Sequence, residues 1–297
     1  MQTKEFSGVW TAIITPMYDN GEVDYASLEG LVEKQVKGGV DGVVAVGTTG
    51  ESPTLTTKEH IEVIRKIRDF AAGRIGVLGG TGSNSTAETI HMTKECEGFG
   101  LDGYLIVAPY YNKPSQEGVY RHFAEIAKVT EKPVMLYSIP GRCGIEISNE
   151  TVMRLRGDFA NFTALKEAGG KVEKVADLFA KAEGRVGIMS GDDGLTLEFM
   201  RAGARGVVSV ASNLAPSAVV GMVDAQKAGD TAKADAMNAK LARLFKNLFV
   251  EPNPVPAKYA LFRMGVIKSP AVRLPLCEMS DAHKALLDET LRELELI

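Results

Sequence analysis

Long apolar runs and an excess of basic residues are both missing from this chain. No stretch approaches the roughly 20 consecutive apolar residues that a membrane span needs. Asp and Glu number 38 against 34 Lys and Arg, which gives a net charge of −4. Because nucleic acids and anionic membranes require a basic face, this balance argues against both as partners. The start of the chain, MQTKEFSGVW, also lacks the basic and apolar regions of a signal peptide.

Residues that could form disulfides or bind metals are few as well. The cysteines are Cys96, Cys143 and Cys277. They are far apart, odd in number and form no CxxC pair, which indicates reduced thiols and no zinc framework. The histidines are His60, His91, His122 and His283. All four fall in predicted helices, whereas a metal-dependent aldolase would place ligands at strand ends. We therefore expect a soluble, cytoplasmic protein without a metal.

Short apolar runs that alternate with amphipathic segments are plentiful. The runs predicted as strands are Val9–Ile14, Gly42–Val46, Ile75–Gly79, Gly103–Val107, Val134–Tyr137, Phe162–Lys166, Val186–Ser190 and Gly206–Val210. Such continuous runs suit parallel strands that are covered on both faces. Eight strand-then-helix units favour a (β/α)8 TIM barrel over an open doubly wound sheet. The turn GTTGES is not the GxGxxG of a dinucleotide-binding fold, which weakens that alternative.

Helix signals complete the predicted architecture. Two helix starts, Thr56–Glu59 and Ser85–Glu88, fit the capping-box pattern. After the eighth run the alternation stops. Helices without intervening strands are predicted over 216–227, 231–249, 255–264 and 281–296. We predict a barrel catalytic domain over 1–211 and a C-terminal helical region over 212–297 that is an appendage of the barrel.

Lys166 ends the sixth apolar run, directly ahead of a glycine-containing turn. A single lysine at a strand end usually extends its charged head to solvent. In a barrel, however, the carboxyl ends of the strands form the active site, and burial there lowers a lysine pKa by up to ~3–5 units. A neutral amine can attack a carbonyl carbon and form a Schiff base. We favour this catalytic interpretation, because lysines such as Lys34 and Lys128 fall on predicted outer helices.

Other strand ends supply groups that Schiff-base chemistry needs. The phenol of Tyr137 could carry protons, although a tyrosine there could simply pack. The turn GTTGE could hold a small carboxylate, although glycine-rich turns are common. Arg142 could bind a second carboxylate with both guanidinium nitrogens, although a surface arginine is the plainer reading. The segment PYYNKP could serve in catalysis or in packing between subunits.

Two further alternatives remain open on the residues alone. These barrels often bind phosphate after the last two strands, but the sequence Gly191-Asp192-Asp193 would put carboxylates there. A barrel that binds a ligand without catalysis is compatible with the composition. The combination of lysine, tyrosine and hydroxyl groups makes it the less economical reading.

Six segments of the chain resemble one family. They are GTTGES, PYYNKPSQEGVY, YSIPGRCG, LKEAGG, SGDD and LFVEPNPVPAKYAL. They are similar to the 4-hydroxy-tetrahydrodipicolinate synthase (dihydrodipicolinate synthase) family, in the pyruvate-dependent aldolase superfamily that also contains N-acetylneuraminate lyase. The resemblance runs through nearly the whole chain. The lysine motif is shared by the superfamily, whereas the arginine of PGR and the segment EPNP point to the synthases.

The resemblance implies roles for the residues that match. Lys166 would form an imine with pyruvate, with no other cofactor, and Thr48, Tyr111 and Tyr137 would form a proton relay. Thr48 and Thr49 would hold the pyruvate carboxylate. In this family Tyr111 would reach across a tight dimer interface, and a homotetramer built as a dimer of dimers is the expected assembly.

The second substrate implied by the resemblance is L-aspartate-4-semialdehyde. Arg142 would bind its carboxylate, and Gly191 and Val208 would line the pocket. The chain departs from the family pattern at Ser138 and Cys143, where asparagine and threonine are more frequent. These departures bear on packing around the second substrate and leave the imine step untouched.

The implied activity is an aldol-type condensation in lysine (diaminopimelate) biosynthesis. The alternative is a Schiff-base lyase for a sugar acid, such as N-acetylneuraminate or a keto-deoxy sugar acid, which would need hydroxyl partners where this chain has Arg142. Feedback inhibition by L-lysine is a further expectation from the family. The matching positions are Ser52, Pro53, Thr57, His60, Asn84, Glu88 and Tyr110. Pro53 and Thr57 depart from the lysine-sensitive pattern.

Overall fold

The computed structural model describes residues 6–297, and its frame is a parallel sheet. The strands are β1 (Gly8–Ala12), β2 (Gly42–Ala45), β3 (Gly76–Gly80), β4 (Gly103–Val107), β5 (Val134–Ser138), β6 (Phe162–Glu167), β7 (Gly187–Ser190) and β8 (Gly206–Ser209). They follow one another in chain order and close into a barrel. The predicted (β/α)8 barrel is confirmed. Several bounds shift by one or two residues, and β1 ends at Ala12 instead of Ile14.

Helices alternate with these strands and continue after the last one. In the alternating part they are α1 (Tyr25–Gly38), α2 (Thr57–Ala71), α3 (Thr86–Cys96), α4 (Gln116–Ala127), α5 (Pro140–Cys143), α6 (Asn149–Asp158), α7 (Val172–Ala182) and α8 (Thr196–Arg201). After β8 they are α9 (Pro216–Lys227), α10 (Thr231–Asn247), α11 (Val255–Arg263) and α12 (Asp281–Glu293). These last four match the helices that the sequence predicts after the barrel.

One of the two predicted capping boxes forms completely. Thr56 accepts a hydrogen bond from the Glu59 amide, and the Glu59 carboxylate accepts one from the Thr56 amide at 2.8 Å. At the start of α3, Ser85 accepts from the Glu88 amide, but the Glu88 carboxylate accepts from the Ser83 hydroxyl instead of from the cap. The second capping box is therefore predicted correctly for the Ser85 side chain and wrongly for the Glu88 side chain, because the Ser83 hydroxyl donates to the Glu88 carboxylate instead.

The described residues form two compact units. The Lys166 unit consists of residues 6–8 and Val77–Val208, and the Thr49 unit consists of Val9–Gly76 and Ser209–Ile297. Within the Thr49 unit, α9 packs against α1 and α10, and α12 packs against α10 and α11. The helices after β8 thus share a unit with β2. A domain boundary near residue 211 stays a prediction.

The core includes nearly every residue of the strands. Apart from Thr163 and Val107, the residues of the strands are buried, as parallel strands covered on both faces require. One of the largest fully buried side chains is charged, the lysine at position 258. Within residues 6–297, no helix has the length and apolar character needed to span a bilayer.

Candidate active site

Lys166 lies near the carboxyl end of β6 with only 5% of its surface exposed. In the sheet register it stands beside Tyr137 of β5 and Met189 of β7. Residues paired across parallel strands point to the same face. Accordingly, the Lys166 Nζ lies 4.1 Å from the centroid of the Tyr137 ring. The structure therefore brings together the two residues that the sequence assigns to the nucleophile and the proton carrier.

The surroundings of Lys166 favour the neutral amine. Burial lowers its pKa to about 7, the Asp193 carboxylate opposes this shift, and the Arg142 guanidinium adds to it. A buried ammonium loses hydration, which is why desolvation dominates. At neutral pH a large fraction of Lys166 is thus unprotonated, the form that attacks a carbonyl carbon. Asp193 stands within SGDD, where the sequence does not indicate that it tunes the lysine; its carboxylate is 2% exposed.

A pH titration of Lys166 reactivity follows from these charges. We expect the rate of pyruvate-dependent reductive labelling by cyanoborohydride to rise about tenfold per pH unit below 7 and to level off above it. Asp193→Asn removes the charge that favours the ammonium, so its midpoint moves to lower pH. Arg142→Ala removes the charge that disfavours it, so its midpoint moves to higher pH. Midpoints that move in the same direction would contradict the assignment.

The opposite face of β6 is anchored by Glu167, which is 1% exposed. Its carboxylate accepts a hydrogen bond from the Gly169 amide at 2.6 Å. The Lys174 ammonium lies 2.9 Å from the other carboxylate oxygen as an ion pair. The Glu167 carbonyl accepts from the Gly191 amide at 2.7 Å. These contacts fix the end of the strand that carries the lysine.

Gly191 lies close to Lys166 for a steric reason. A Cβ atom at position 191 would stand 3.0 Å from the Lys166 Cε and 2.7 Å from the Ala168 Cβ. Only glycine leaves room for the lysine stem at this point. Val208, the other residue predicted to line the pocket, lies in β8 and is 1% exposed.

The two departures from the family pattern are both buried. Ser138 follows Tyr137 in β5 and so faces away from Lys166. Its hydroxyl accepts a hydrogen bond from the Ile147 amide at 3.2 Å. Burial raises the pKa of the Cys143 thiol to about 11, which makes it unreactive at neutral pH. Arg142, next to Cys143 in the short helix α5, is exposed.

The turn after β2 carries the two predicted carboxylate-binding threonines. Thr48, Thr49 and Gly50 form one 3-10 turn. Val46 before it and Glu51 after it both have left-handed backbone, with φ of 55° and 58°. A β-branched residue such as valine rarely adopts this conformation, and such strain is concentrated at functional sites. Thr49 is 3% exposed, whereas Thr48 is partly exposed.

Three residues of the C-terminal region hold this turn, and the sequence alone identifies none of them. The Asn253 side-chain amide donates a hydrogen bond to the Thr49 hydroxyl at 2.9 Å. The Lys258 ammonium donates to the Glu51 carboxylate at 2.6 Å, and the Arg273 backbone amide donates to the same carboxylate at 3.1 Å. In the sequence, the segment EPNPVPAK stands out only by its resemblance to the family. No local pattern links it to residues about two hundred positions earlier.

Tyr111 is not brought to the buried pair within the chain. It lies on the loop after β4, 88% exposed, with a left-handed φ of 72°. The predicted regulatory residues are divided between the two units. Asn84, Glu88 and Tyr110 belong to the Lys166 unit, and Ser52, Pro53, Thr57 and His60 belong to the Thr49 unit. The histidines all lie in helices, as predicted, and no cluster of metal-ligand side chains occurs among the described residues.

Comparison with known proteins gives a consistent result. A profile described as the dihydrodipicolinate synthetase family matches residues 5–294. The chain belongs to this family. The 4-hydroxy-tetrahydrodipicolinate synthase of Thioalkalivibrio sulfidiphilus is 46% identical over 286 residues, which cover 96% of this chain and 97% of that protein.

Solved structures of the dihydrodipicolinate synthetase family share the fold. The chloride-inhibited enzyme from Acinetobacter baumannii complexed with pyruvate has a TM-score of 0.95 and 42% identity, covering 98% of this chain and 99% of that one. The enzyme from Cyanidioschyzon merolae with lysine bound has a TM-score of 0.93 and 39% identity, covering 99% and 100%. As a member of this family the chain is a lyase, and assignment as a 4-hydroxy-tetrahydrodipicolinate synthase is favoured over assignment as a sugar-acid lyase.

Proposed function

We propose that the chain condenses pyruvate with L-aspartate-4-semialdehyde through an imine on Lys166. The buried amine of Lys166 beside Tyr137, with its pKa lowered to about 7, is the observation that carries this proposal. The pyruvate complex of the Acinetobacter baumannii relative supports the first substrate.

The chemistry follows from these groups. The Lys166 nitrogen adds to the ketone carbon of pyruvate and water leaves, giving the imine. Loss of a methyl proton gives an enamine, whose carbon attacks the aldehyde carbon of the semialdehyde. The amino group of that substrate then attacks the imine carbon, which closes the ring and frees Lys166. Tyr137 carries protons to and from these intermediates, because its phenol can both donate and accept.

The remaining predicted residues have supporting roles in the proposal. Thr48 extends the relay, and Thr49 holds the pyruvate carboxylate. The high exposure of Tyr111 suits a residue that serves the site of a second copy of the chain, within a homotetramer. Light scattering combined with size-exclusion chromatography measures this assembly, and a monomer at assay concentrations would contradict it.

The test of the reaction is a comparison of substrates. We expect pyruvate consumption with aspartate semialdehyde and no pyruvate release above background when sugar acids are supplied. Arg142→Ala should raise the KM for the semialdehyde about 10- to 100-fold, the loss expected for a charge-assisted hydrogen bond. Arg142→Lys keeps the charge but loses the two-nitrogen contact, so its KM should be intermediate.

Reductive labelling by pyruvate at pH 8.5 provides the control for the arginine variants. At this pH, above the Lys166 pKa of about 7, most of the lysine is unprotonated, which limits the effect of a pKa rise when the guanidinium is removed. Labelling of Arg142→Ala should therefore match wild type. If labelling is lost, Arg142 acts on the first substrate and its proposed role is wrong.

L-Lysine as an inhibitor is proposed on the lysine-bound relative from Cyanidioschyzon merolae. Glu88 is the carboxylate that an ammonium ligand would need, and in the structure it accepts a hydrogen bond from the Ser83 hydroxyl. Lysine would have to share or replace this contact. A titration of turnover with L-lysine, compared between wild type and Glu88→Ala, measures whether Glu88 takes part in such inhibition.

A further inference from the structure

Among the described residues, Asn253 is the one whose side chain forms a hydrogen bond with the Thr49 hydroxyl. It is 5% exposed and lies between Pro252 and Pro254, ahead of α11. The amide nitrogen donates to the Thr49 Oγ1 at 2.9 Å. Both side chains belong to the Thr49 unit. Neither contact partner is exposed to solvent, so the bond is buried at both ends.

The direction of this bond decides where the Thr49 proton can point. A hydroxyl has one proton to donate and two lone pairs that accept. With the Asn253 amide occupying one lone pair, the proton is left for another acceptor. Within residues 6–297, the Thr49 hydroxyl donates its proton to no acceptor. We propose that Asn253 is a positioning residue that turns the Thr49 hydroxyl proton toward the carboxylate of the bound 2-oxo acid.

The carbonyl oxygen of Asn253 supports a role other than stability. This atom is buried and has no hydrogen-bond partner among the described residues. A buried polar atom without a partner destabilises the folded state, and such groups need a functional or other explanation. An asparagine kept only for packing would be replaced by an apolar residue at little cost.

Other contacts hold the backbone near both Thr49 and Asn253. Glu51, two residues after Thr49, binds the Lys258 ammonium at 2.6 Å, and Lys258 is five residues after Asn253. The Thr15 hydroxyl also donates to the Gly50 carbonyl at 2.7 Å. Because the turn and the asparagine are each fixed, removal of the Asn253 amide should change the hydroxyl direction without displacing the turn.

The inference rests on the proposed function, since it concerns the pyruvate carboxylate. The measurement is the pyruvate concentration that gives half-maximal cyanoborohydride labelling of Lys166 at pH 8.5, together with KM and kcat for pyruvate. Asn253→Ala should raise the half-saturating concentration about tenfold, and kcat should change by less than this factor. Asn253→Asp should raise it further, because its ionised carboxylate accepts the Thr49 proton and repels the ligand carboxylate.

A double-mutant cycle separates positioning from a structural role. In Thr49→Val, which lacks the hydroxyl, Asn253→Ala should have little additional effect; in Thr49→Ser, which keeps it, the tenfold effect should remain. Asn253→Ser serves as the second small variant if Asn253→Ala does not fold. Additive effects in the Thr49→Val background, or an unchanged half-saturating concentration, would overturn the inference. A wild type that pyruvate does not label would overturn the proposed function and this inference with it.

Discussion

Replacement of Lys166 by alanine should remove reductive labelling by pyruvate completely and lower turnover by ~10³-fold or more, the scale expected when a covalent nucleophile is lost. The physical reason is that no other amine described here combines burial at a strand end with a pKa lowered to about 7. Mass spectrometry of the labelled wild type should find the added mass on the peptide that carries Lys166.

Two variants control for this experiment. Lys166→Arg keeps a positive charge and most of the stem, but a guanidinium is not deprotonated at neutral pH and forms no imine. Its activity should be as low as that of Lys166→Ala. Lys174→Ala removes the ammonium behind Glu167 instead, and labelling should persist. Label on any other lysine of the wild type would refute the Schiff-base assignment.

Replacement of Lys258 by methionine should lower the free energy of unfolding by about 3–5 kcal/mol, because it leaves a buried carboxylate unpaired. The side chains of Lys258 and Glu51 are both 0% exposed. Burial lowers the pKa of Lys258, and the Glu51 carboxylate opposes that shift. Urea denaturation at one fixed protein concentration measures the loss.

Matched variants test whether burial is the cause. Lys181 forms an ion pair with Asp177 at 2.8 Å, but its side chain is 43% exposed. Lys181→Met should therefore cost less than about 1 kcal/mol. The double variant Glu51→Gln with Lys258→Met removes the unpaired charge and should recover much of the loss. Equal losses for the two lysines would show that the buried pair contributes no more than a surface pair.

The barrel and the Lys166–Tyr137 pair could be predicted because their signals are local. Apolar runs separated by amphipathic helices mark the units, and the last residues of a run fall at the end of the barrel that carries chemistry. Lys166 and Tyr137 each end such a run. Errors of one or two residues at strand ends, as at Ile14, arise because apolar character continues beyond the hydrogen-bonded ladder.

The contacts of the turn after β2 could not be predicted in this way. Asn253 and Thr49 are 204 positions apart, and Lys258 and Glu51 are 207 apart. Neither pair has a spacing or periodicity that links its members, so only the tertiary fold brings them together. The effect of Asp193 on Lys166 could not be predicted either, because the segment SGDD does not show that this carboxylate is buried. The family resemblance includes the segment EPNP but does not indicate which residues that segment contacts.

The support of the Thr49 turn from residues 253–273 has a consequence for synthesis of the protein. A growing chain that has reached residue 210 contains every strand of the barrel but none of the three groups that hold Thr49 and Glu51. Until then the Glu51 carboxylate lacks the Lys258 ammonium with which it pairs in the folded protein. The order of translation thus places the three groups that hold this turn among the last parts of the chain to be made, so the turn reaches the arrangement described here only after residues 253–273 have been added.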